Sequence, residues 1–181
     1  METNVSYDTA IRARRTFRLN GFHTLAQEGF DGDYVSPIQI SSGNLTGPML
    51  ISKDWLDVPS VRANKEELER VGYLASIKYN KVIDLALEAV NLRRSDIYIS
   101  PIFHLLVNGR SSPIPASGAR ASFDLVGRHE LLGRRPIALG IDAAATLDYF
   151  NVPHIKVVHP SARKFTYAQK AEIIAEAIIA Q

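Results

Sequence analysis

At 181 residues with 46% hydrophobic content, the chain has the length of one ordinary domain and enough apolar side chains for a sizeable core. The absence of cysteine excludes disulfides, thiolate nucleophiles, cysteine-based zinc sites and iron–sulfur clusters. The net charge of +2 gives no global electrostatic argument for nucleic-acid binding, and no apolar run approaches the roughly 20 residues of a transmembrane helix. We therefore expect one intracellular, soluble, monomeric domain over residues 1–181, without a signal peptide.

Short apolar segments alternate with helical patterns in the chain after residue 47. Strands are expected at residues 49–52, at 97–99 with a continuation over 103–107, at 136–139 and at 155–158. Helical periodicity marks residues 79–91 and a segment that begins at Asp142, and Thr166 with Gln169 forms a capping box for a helix through Ile179. The polar stretch 31–47 is typical of a loop inside the domain.

This alternation predicts a three-layer α/β/α sandwich with a central, mostly parallel, four-stranded sheet. Strands that alternate with helices pair in parallel through right-handed crossovers, and short apolar strands fit a sheet covered on both faces. In such sheets ligands bind beyond the carboxyl ends of the strands. Chemistry is therefore expected at those ends.

The four predicted strand ends carry polar side chains. Asp54 follows the first strand, Ser100 ends the second, Asp142 follows the third, and His159 follows the fourth. A carboxylate there can position or deprotonate water and stabilise a nearby cation, and an imidazole can donate a hydrogen bond to a departing anion. Together these groups suit cleavage of a bond that leaves positive charge on a sugar and negative charge on its leaving group.

Simpler structural interpretations also exist. An aspartate just after a strand often caps a helix or a turn, and His-Pro-Ser is common in turns. His104, in an apolar run, is typical of a satisfied, semi-buried histidine, and the arginine clusters that include Arg14 and Arg94 are typical of solvated faces. The histidines lack metal-ligand spacing, so no metal site is expected. The usual nucleotide, dinucleotide and serine-hydrolase motifs are also absent.

In chain order, the motifs resemble those of the uracil-DNA glycosylase superfamily. MLISKDWLD resembles the family's first motif and SDIYISPIFHLLVNGRSSPIP its second strand with the Arg/Pro-rich segment after it. RRPIALGIDAAATL resembles the later strand–helix element, and IKVVHPSA resembles the final His-Pro-Ser motif. The resemblance covers residues 47–180, leaves the first 46 unexplained and, without cysteine, excludes the cluster-bearing branches.

The resemblance implies a DNA glycosylase that flips a nucleotide out of the duplex and hydrolyses its N-glycosidic bond without a cofactor. Asp54 would orient the water and stabilise an oxocarbenium-like sugar, while neutral His159 would hydrogen-bond the leaving base. Contacts to the base would come from Ser100 and from an aromatic ring, with Tyr73 as the first candidate and Trp55 as the second.

The resemblance also places contacts to DNA, the implied partner, in the segment after the last strand. Pro160 and Ser161 would hold the flanking phosphates through backbone and hydroxyl groups. Arg163 and Lys164 form a basic cluster beside them, and Arg163 or Phe165 would occupy the space left by the flipped base. No membrane or metal partner is implied.

Two departures from the family pattern leave the substrate open. Ser100 stands where the family often has an asparagine that contacts uracil, and a hydroxyl cannot reproduce the two-point contact of an amide. Lys53-Asp54-Trp55 replaces the usual small and proline residues. We therefore expect excision of uracil or another altered pyrimidine. The alternatives are a member that binds DNA or a base without cleavage, and an unrelated α/β enzyme that acts on free nucleosides or nucleotides.

Overall fold

The computed structural model describes residues 2–110 and 112–181, so Ser111 of the Arg/Pro-rich segment lies outside it. In the described residues, one sheet is formed by the strands β1 (Met49–Ser52), β2 (Tyr98–Pro101), β3 (Ile137–Leu139) and β4 (Ile155–Val157). The α-helices of the same residues are α1 (Glu2–Thr16), α2 (Val58–Ala63), α3 (Lys65–Val71), α4 (Lys78–Ala89), α5 (Ala116–Ser122), α6 (Arg128–Glu130), α7 (Ile141–Tyr149) and α8 (Tyr167–Ile179). Short 3₁₀ turns lie at Ala26–Glu28, Pro37–Ile40 and Arg94–Asp96, and a π-helical turn joins α5 to α6 at Phe123–Gly127.

The sheet has the strand order β2-β1-β3-β4, and every pairing is parallel. Leu50 of β1 is paired with Ile99 on one side and with Ile137 on the other, and Leu139 of β3 is paired with Val157 of β4. The predicted parallel four-stranded sheet is therefore confirmed. Its four carboxyl ends point in one direction.

Helices cover both faces of the sheet. Because successive strand residues point to opposite faces, Leu50 packs with Ile83 of α4 and Ile174 of α8, while the next residue, Ile51, packs on the other side with Leu147 of α7. This arrangement confirms the three-layer α/β/α sandwich. In the described residues, no helix is both long enough and apolar enough to span a membrane.

Local signals predicted several element boundaries closely. Helix α8 begins where the capping box was expected: the Thr166 hydroxyl accepts from the Gln169 amide at 3.2 Å, and the Gln169 side chain accepts from the Thr166 amide at 3.0 Å. Helices α4 and α7 occupy the segments with helical periodicity. The first 46 residues contribute α1, which packs against Phe103 and Val126 through Ala10 and Ile11.

One expected strand segment is wrong. Residues 103–107 do not continue β2, because the chain turns after Pro101 and makes only isolated bridges, from Leu106 to His23 and from Val107 to Asp57. Residues 31–47 form the expected loop, with one short 3₁₀ turn at residues 37–40.

One arginine in each of two basic clusters is buried, where a solvated face was expected, and the other arginines of these clusters are at least partly exposed. Arg14 is 2% exposed and donates to Asp31 and to the carbonyls of Gly32 and Tyr34. Arg94 is 9% exposed and donates to the carboxylate of Asp84 at 2.7 Å and to the Oδ1 of Asn80 at 2.9 Å. A guanidinium has five N–H donors, which lets it satisfy several acceptors inside a fold.

Candidate functional site

A cavity of about 160 Å³ opens at the carboxyl ends of the strands. Five predicted site residues line it together: Asp54, Trp55, Tyr73, His159 and Ser161. A cavity of about 150 Å³ in a protein interior can bind a benzene molecule. The space therefore suits a single six-membered ring.

A wider groove of about 1040 Å³ adjoins this cavity. Asp54 and His159 line both spaces, so they lie where the cavity meets the groove. The groove is also lined by the cationic side chains of Lys53, Arg110 and Lys156. A ring in the cavity would thus be attached, beside Asp54 and His159, to a chain that continues along a partly basic surface.

The loop that carries Asp54 is held by the segment after β2. The Ile102 amide donates to the Ser52 carbonyl at 2.7 Å, and the Phe103 amide donates to the Lys53 carbonyl at 3.0 Å. Asp54 does not cap a helix, since the cap of α2 is Asp57, whose carboxylate accepts from the Ser60 amide at 2.9 Å. The helix-capping role that an aspartate after a strand often has is therefore filled by Asp57.

The surroundings of Asp54 shift the pKa of its carboxyl group. Burial raises the pKa of the Asp54 carboxyl above its usual 3.8, and the cation of Lys53 acts in the opposite direction. The Lys53 ammonium lies 3.3 Å from a carboxylate oxygen of Asp142, so the two aspartates share this cation. A carboxylate with a raised pKa accepts a proton from water more readily than an exposed one does.

His159 is held as a neutral hydrogen-bond donor. Burial is the main cause that lowers the pKa of His159 below its usual 6.5. The Ser161 amide donates to its Nδ1 at 3.1 Å, which leaves the proton of the neutral ring on Nε2. His159 can therefore donate from Nε2 to an oxygen of a ligand in the cavity.

The two predicted aromatic walls are fixed by contacts outside the cavity. The Trp55 indole N–H donates to the Gly72 carbonyl at 2.9 Å, and its ring meets Phe30 edge to face at 5.5 Å. The guanidinium of Arg94 lies 3.7 Å from the centre of the Tyr73 ring. Such fixed rings offer stacking surfaces at little entropic cost to a planar ligand.

Ser100 does not line the cavity, which corrects its predicted contact with the base. Its neighbours Ile99 and Pro101 line the cavity, so strand alternation turns Ser100 to the opposite face of the sheet. There it is 1% exposed, and its hydroxyl lies 2.7 and 2.9 Å from the two carboxylate oxygens of Glu130.

Glu130 is the centre of a buried polar cluster that sequence analysis missed. It is fully buried and accepts hydrogen bonds from Tyr98, from Ser100 and, at 3.0 Å, from Gln39. His104 Nε2 lies 2.8 Å from the same carboxylate, and burial, with the Glu130 charge second, raises the pKa of Tyr98 well above its usual value. His104 is thus a satisfied buried histidine, and the cluster fixes the face of β2 that lies away from the cavity.

The predicted DNA-contacting residues divide into two groups. Ser161 lines the cavity beside buried Pro160, and the Lys170 ammonium supports their turn by donating to the Ala162 carbonyl at 3.0 Å. Arg163, Lys164 and Phe165 are exposed beyond this turn and line neither the cavity nor the groove.

The first turn of α4 contributes two cavity residues that sequence analysis missed. Tyr79 and Asn80 lie in the first turn of α4 and line the cavity. Their position at the start of a predicted helix was the one available signal, because helix N-termini commonly face ligand sites.

Comparison with known proteins does not assign a family, since no family model and no curated protein matches the chain. Within the described residues, no group of three or more histidine, aspartate or glutamate side chains is placed to hold a metal ion. What the site presents is a carboxylate, a neutral N–H donor and two fixed aromatic rings around a space for one ring.

Proposed function

We propose that the protein is a DNA glycosylase that hydrolyses the N-glycosidic bond of uracil or another altered pyrimidine after the nucleotide has been flipped. The observation that carries this proposal is the place of Asp54 and His159 at the junction of a ring-sized cavity with a partly basic groove. The glycosidic bond joins a planar ring to a sugar on a polyanionic chain, and it would lie at this junction. The protein would act where DNA is, in the cytoplasm or associated with the nucleoid.

The two residues would act on opposite partners of the breaking bond. As the bond between the sugar C1′ and the base nitrogen breaks, its electron pair leaves with the base, and the Nε2–H of His159 donates to a base oxygen that becomes more negative. The Asp54 carboxylate stabilises the positive charge on the sugar and accepts a proton from the water that adds to C1′. The base leaves as an anion that takes up a proton from solvent, and Asp54 returns to solvent the proton it accepted, so that the products are the free base and an abasic sugar in an intact strand.

The groove favours DNA over a free nucleoside as the substrate. A free nucleoside would need only the cavity and its mouth, whereas the groove extends past Arg110 and Lys156, and past Lys53, whose charge is shared with Asp142. Cationic side chains along a groove attract successive phosphates and release the counterions that surround them.

The test is incubation of the purified protein with labelled oligonucleotides that contain uracil, hypoxanthine or hydroxymethylated pyrimidines, followed by alkaline cleavage at abasic sites. We expect cleavage of at least one oligonucleotide, with losses of about 10²- to 10⁴-fold in the Asp54→Asn and His159→Gln variants. Matched controls are Asp148→Asn on the exposed side of α7 and His129→Gln, which lie outside the cavity and the groove.

Three outcomes would contradict the proposal and separate its alternatives. Salt-sensitive DNA binding without abasic sites would indicate a protein that binds DNA without cleavage. Release of bases from free nucleosides but not from DNA would indicate a nucleoside hydrolase. Equal losses in the target and control variants would show that Asp54 and His159 are not the catalytic residues.

A further inference from the structure

The amine of Lys53 lies where the cavity meets the groove. Lys53 directly precedes Asp54 in the chain and lines the groove together with Asp54 and His159. Burial is the main cause of the pKa shift at both of those residues, and the cation of Lys53 acts beside it by lowering the pKa of each. Because the interaction between charges weakens with distance, the Lys53 ammonium lies near both side chains.

The position of Lys53 is held at its backbone and at its side chain. The Phe103 amide donates to the Lys53 carbonyl at 3.0 Å, and the Lys53 ammonium lies 3.3 Å from a carboxylate oxygen of Asp142. The Lys53 side chain is 38% exposed and follows the central strand β1, whereas the other lysine of the groove, Lys156, is exposed on the edge strand β4. Lys53 therefore offers the groove an amine with a fixed place beside Asp54.

A further lysine near His159 already has a structural role. The charge of Lys170 also lowers the pKa of His159, after burial as the main cause. Lys170 is buried, however, and donates to the Ala162 carbonyl at 3.0 Å while its ammonium lies 4.9 Å from the centre of the Tyr167 ring. It lines neither the cavity nor the groove, so a ligand there would meet Lys53 instead.

The product of the proposed hydrolysis has an electrophilic carbon at this place. An abasic deoxyribose opens from its cyclic form to an aldehyde at C1′, the carbon placed beside Asp54 and His159. A lysine amine adds to such an aldehyde and forms a Schiff base. We propose that Lys53 is the nucleophile of a second reaction, in which the protein cuts the DNA strand at the abasic site by β-elimination. This inference rests on the proposed function in placing C1′ at the junction.

The first step joins Lys53 to the sugar. The Lys53 ammonium passes a proton to the Asp142 carboxylate, and the freed electron pair of its nitrogen forms a bond to C1′. The aldehyde oxygen then leaves as water, with one proton from the nitrogen and the proton that Asp142 returns. What remains is a protonated Schiff base between Lys53 and C1′, which withdraws electrons from the neighbouring carbon, C2′.

The second step breaks the strand. The Asp54 carboxylate accepts a proton from C2′ and later returns it to solvent, and the electron pair of that bond moves between C2′ and C3′ as the C3′–O bond breaks and leaves its own pair on the phosphate oxygen. One water then hydrolyses the Schiff base and restores Lys53. The products are a fragment with an unsaturated aldehyde at its 3′ end and a fragment with a phosphate at its 5′ end.

Duplex oligonucleotides with a preformed abasic site test this reaction without the release of a base. Sodium cyanoborohydride reduces the Schiff base to a stable amine, which leaves a covalent adduct between protein and DNA, and mass spectrometry of its peptides locates the attachment. We expect attachment at Lys53 of the wild-type full chain, and strand cleavage without alkali when the reductant is omitted. A duplex that carries a tetrahydrofuran in place of the abasic sugar has no aldehyde and should give neither result.

Variants separate the nucleophile from its charge. Lys53→Arg keeps the positive charge but lacks the amine, so it should lose both the adduct and the strand cleavage. Lys81→Arg, exposed on α4 outside the cavity and the groove, is the matched control and should keep both. The affinity of each variant for the tetrahydrofuran duplex measures whether the site still forms.

Three results would each overturn the inference: no adduct with the wild-type protein, an adduct on Lys156 or another amine, or an adduct that Lys53→Arg retains. If Lys53 forms the adduct but no base is released from any oligonucleotide, the proposed glycosylase activity fails while the inference stands. If bases are released but preformed abasic sites give no adduct, the reverse holds.

Discussion

A Cβ atom added to Gly140 would lie 2.9 Å from the Cβ of His159, and Gly140 has a φ of +97°. Gly140 directly follows β3, the strand that separates β1 from β4 in the sheet. The missing side chain therefore leaves the space through which His159, two residues beyond β4, reaches the cavity that it shares with Asp54.

Gly140→Ala should displace His159 from the cavity. The new methyl carbon would lie 2.9 Å from the Cβ of His159, which is closer than real Cβ atoms approach such neighbours. The segment after β4 that carries His159 therefore has to move. A displacement of about 1 Å at a reacting group can lower a rate by about 10²-fold, which is the loss we expect in the oligonucleotide assay.

Gly133→Ala is the matched control for this loss. Gly133 has a similar φ of +77°, but an added Cβ would meet nothing within 4 Å. It therefore reports the backbone strain alone, which should lower the melting temperature without a comparable loss of activity. Equal activity losses in both variants would contradict the steric role of Gly140.

Asp54→Asn should raise the stability of the protein at neutral pH. Burial holds the pKa of Asp54 above its usual 3.8, so the folded state binds the proton more tightly than the unfolded state does. The free energy of unfolding therefore falls as the pH rises from 3.8 through the folded-state pKa, and above that pKa the full penalty of the buried charge is present.

Calorimetry measures this gain in stability, since each 1 kcal/mol added to the free energy of unfolding raises the melting temperature of a domain of this size by about 2–4 °C. Asp148→Asn, at a site that is 71% exposed, is the control and should leave the melting temperature nearly unchanged. A melting temperature of Asp54→Asn that is below that of the wild-type protein at pH 7 would show that the charge is compensated in the fold.

Local patterns were sufficient for the sheet and for much of the site. The four strands were predictable because each is a short, mostly apolar run followed within two residues by a polar or glycine residue, and α8 was predictable from the Thr166–Gln169 pair. Asp54 and His159 were predictable because parallel strands bring their carboxyl ends to one edge of the sheet.

What could not be predicted depends on contacts between residues far apart in the chain. The cluster around Glu130 joins residues from three separate segments, and nothing near Ser100 in the sequence indicates that its hydroxyl faces Glu130. Likewise, the burial of Arg94 follows from Asn80 and Asp84, one helix earlier. Side-chain direction in a four-residue strand is set by the register, which the sequence does not state.

Ser100→Ala should destabilise the fold without changing which base is preferred. The substitution removes a buried hydroxyl that bonds to the Glu130 carboxylate, and the loss of such a bond typically lowers the free energy of unfolding by about 1–3 kcal/mol. Denaturant titration measures this loss, with the exposed Ser117→Ala as the control. An altered order of cleavage among the uracil, hypoxanthine and hydroxymethylated-pyrimidine oligonucleotides would show that Ser100 contacts the ring after all.

The rate of cleavage should rise with pH along an acid limb and become independent of pH once Asp54 and His159 have both lost their protons. The active form has an ionised Asp54 and a neutral His159. Burial raises the pKa of Asp54 from 3.8 and lowers that of His159 from 6.5, so the histidine has already lost its proton below pH 6.5. Both losses increase activity as the pH rises.

The profile of kcat/KM against pH checks this assignment. His159→Gln, whose side chain does not titrate, should be slower throughout and should have a shallower acid limb with one proton in place of two. A limb centred above pH 6.5 in the wild-type protein that disappears in His159→Gln would contradict the neutral state of the folded histidine.

Arg163 and Lys164 should contribute to DNA affinity through charge alone. Both are exposed beside the turn that carries Ser161, and neither lines the cavity. Each phosphate contact that is lost reduces the slope of log Kd against log salt by about 0.9 for duplex DNA, so Arg163→Gln and Lys164→Gln should each lower it by about that amount and weaken binding to all sequences alike. Arg12→Gln, exposed on α1, is the matched control because that helix lines neither the cavity nor the groove. A slope that is the same in all three variants and in the wild-type protein would place the phosphate contacts elsewhere, with Lys53, Arg110 and Lys156 of the groove as the next residues to replace.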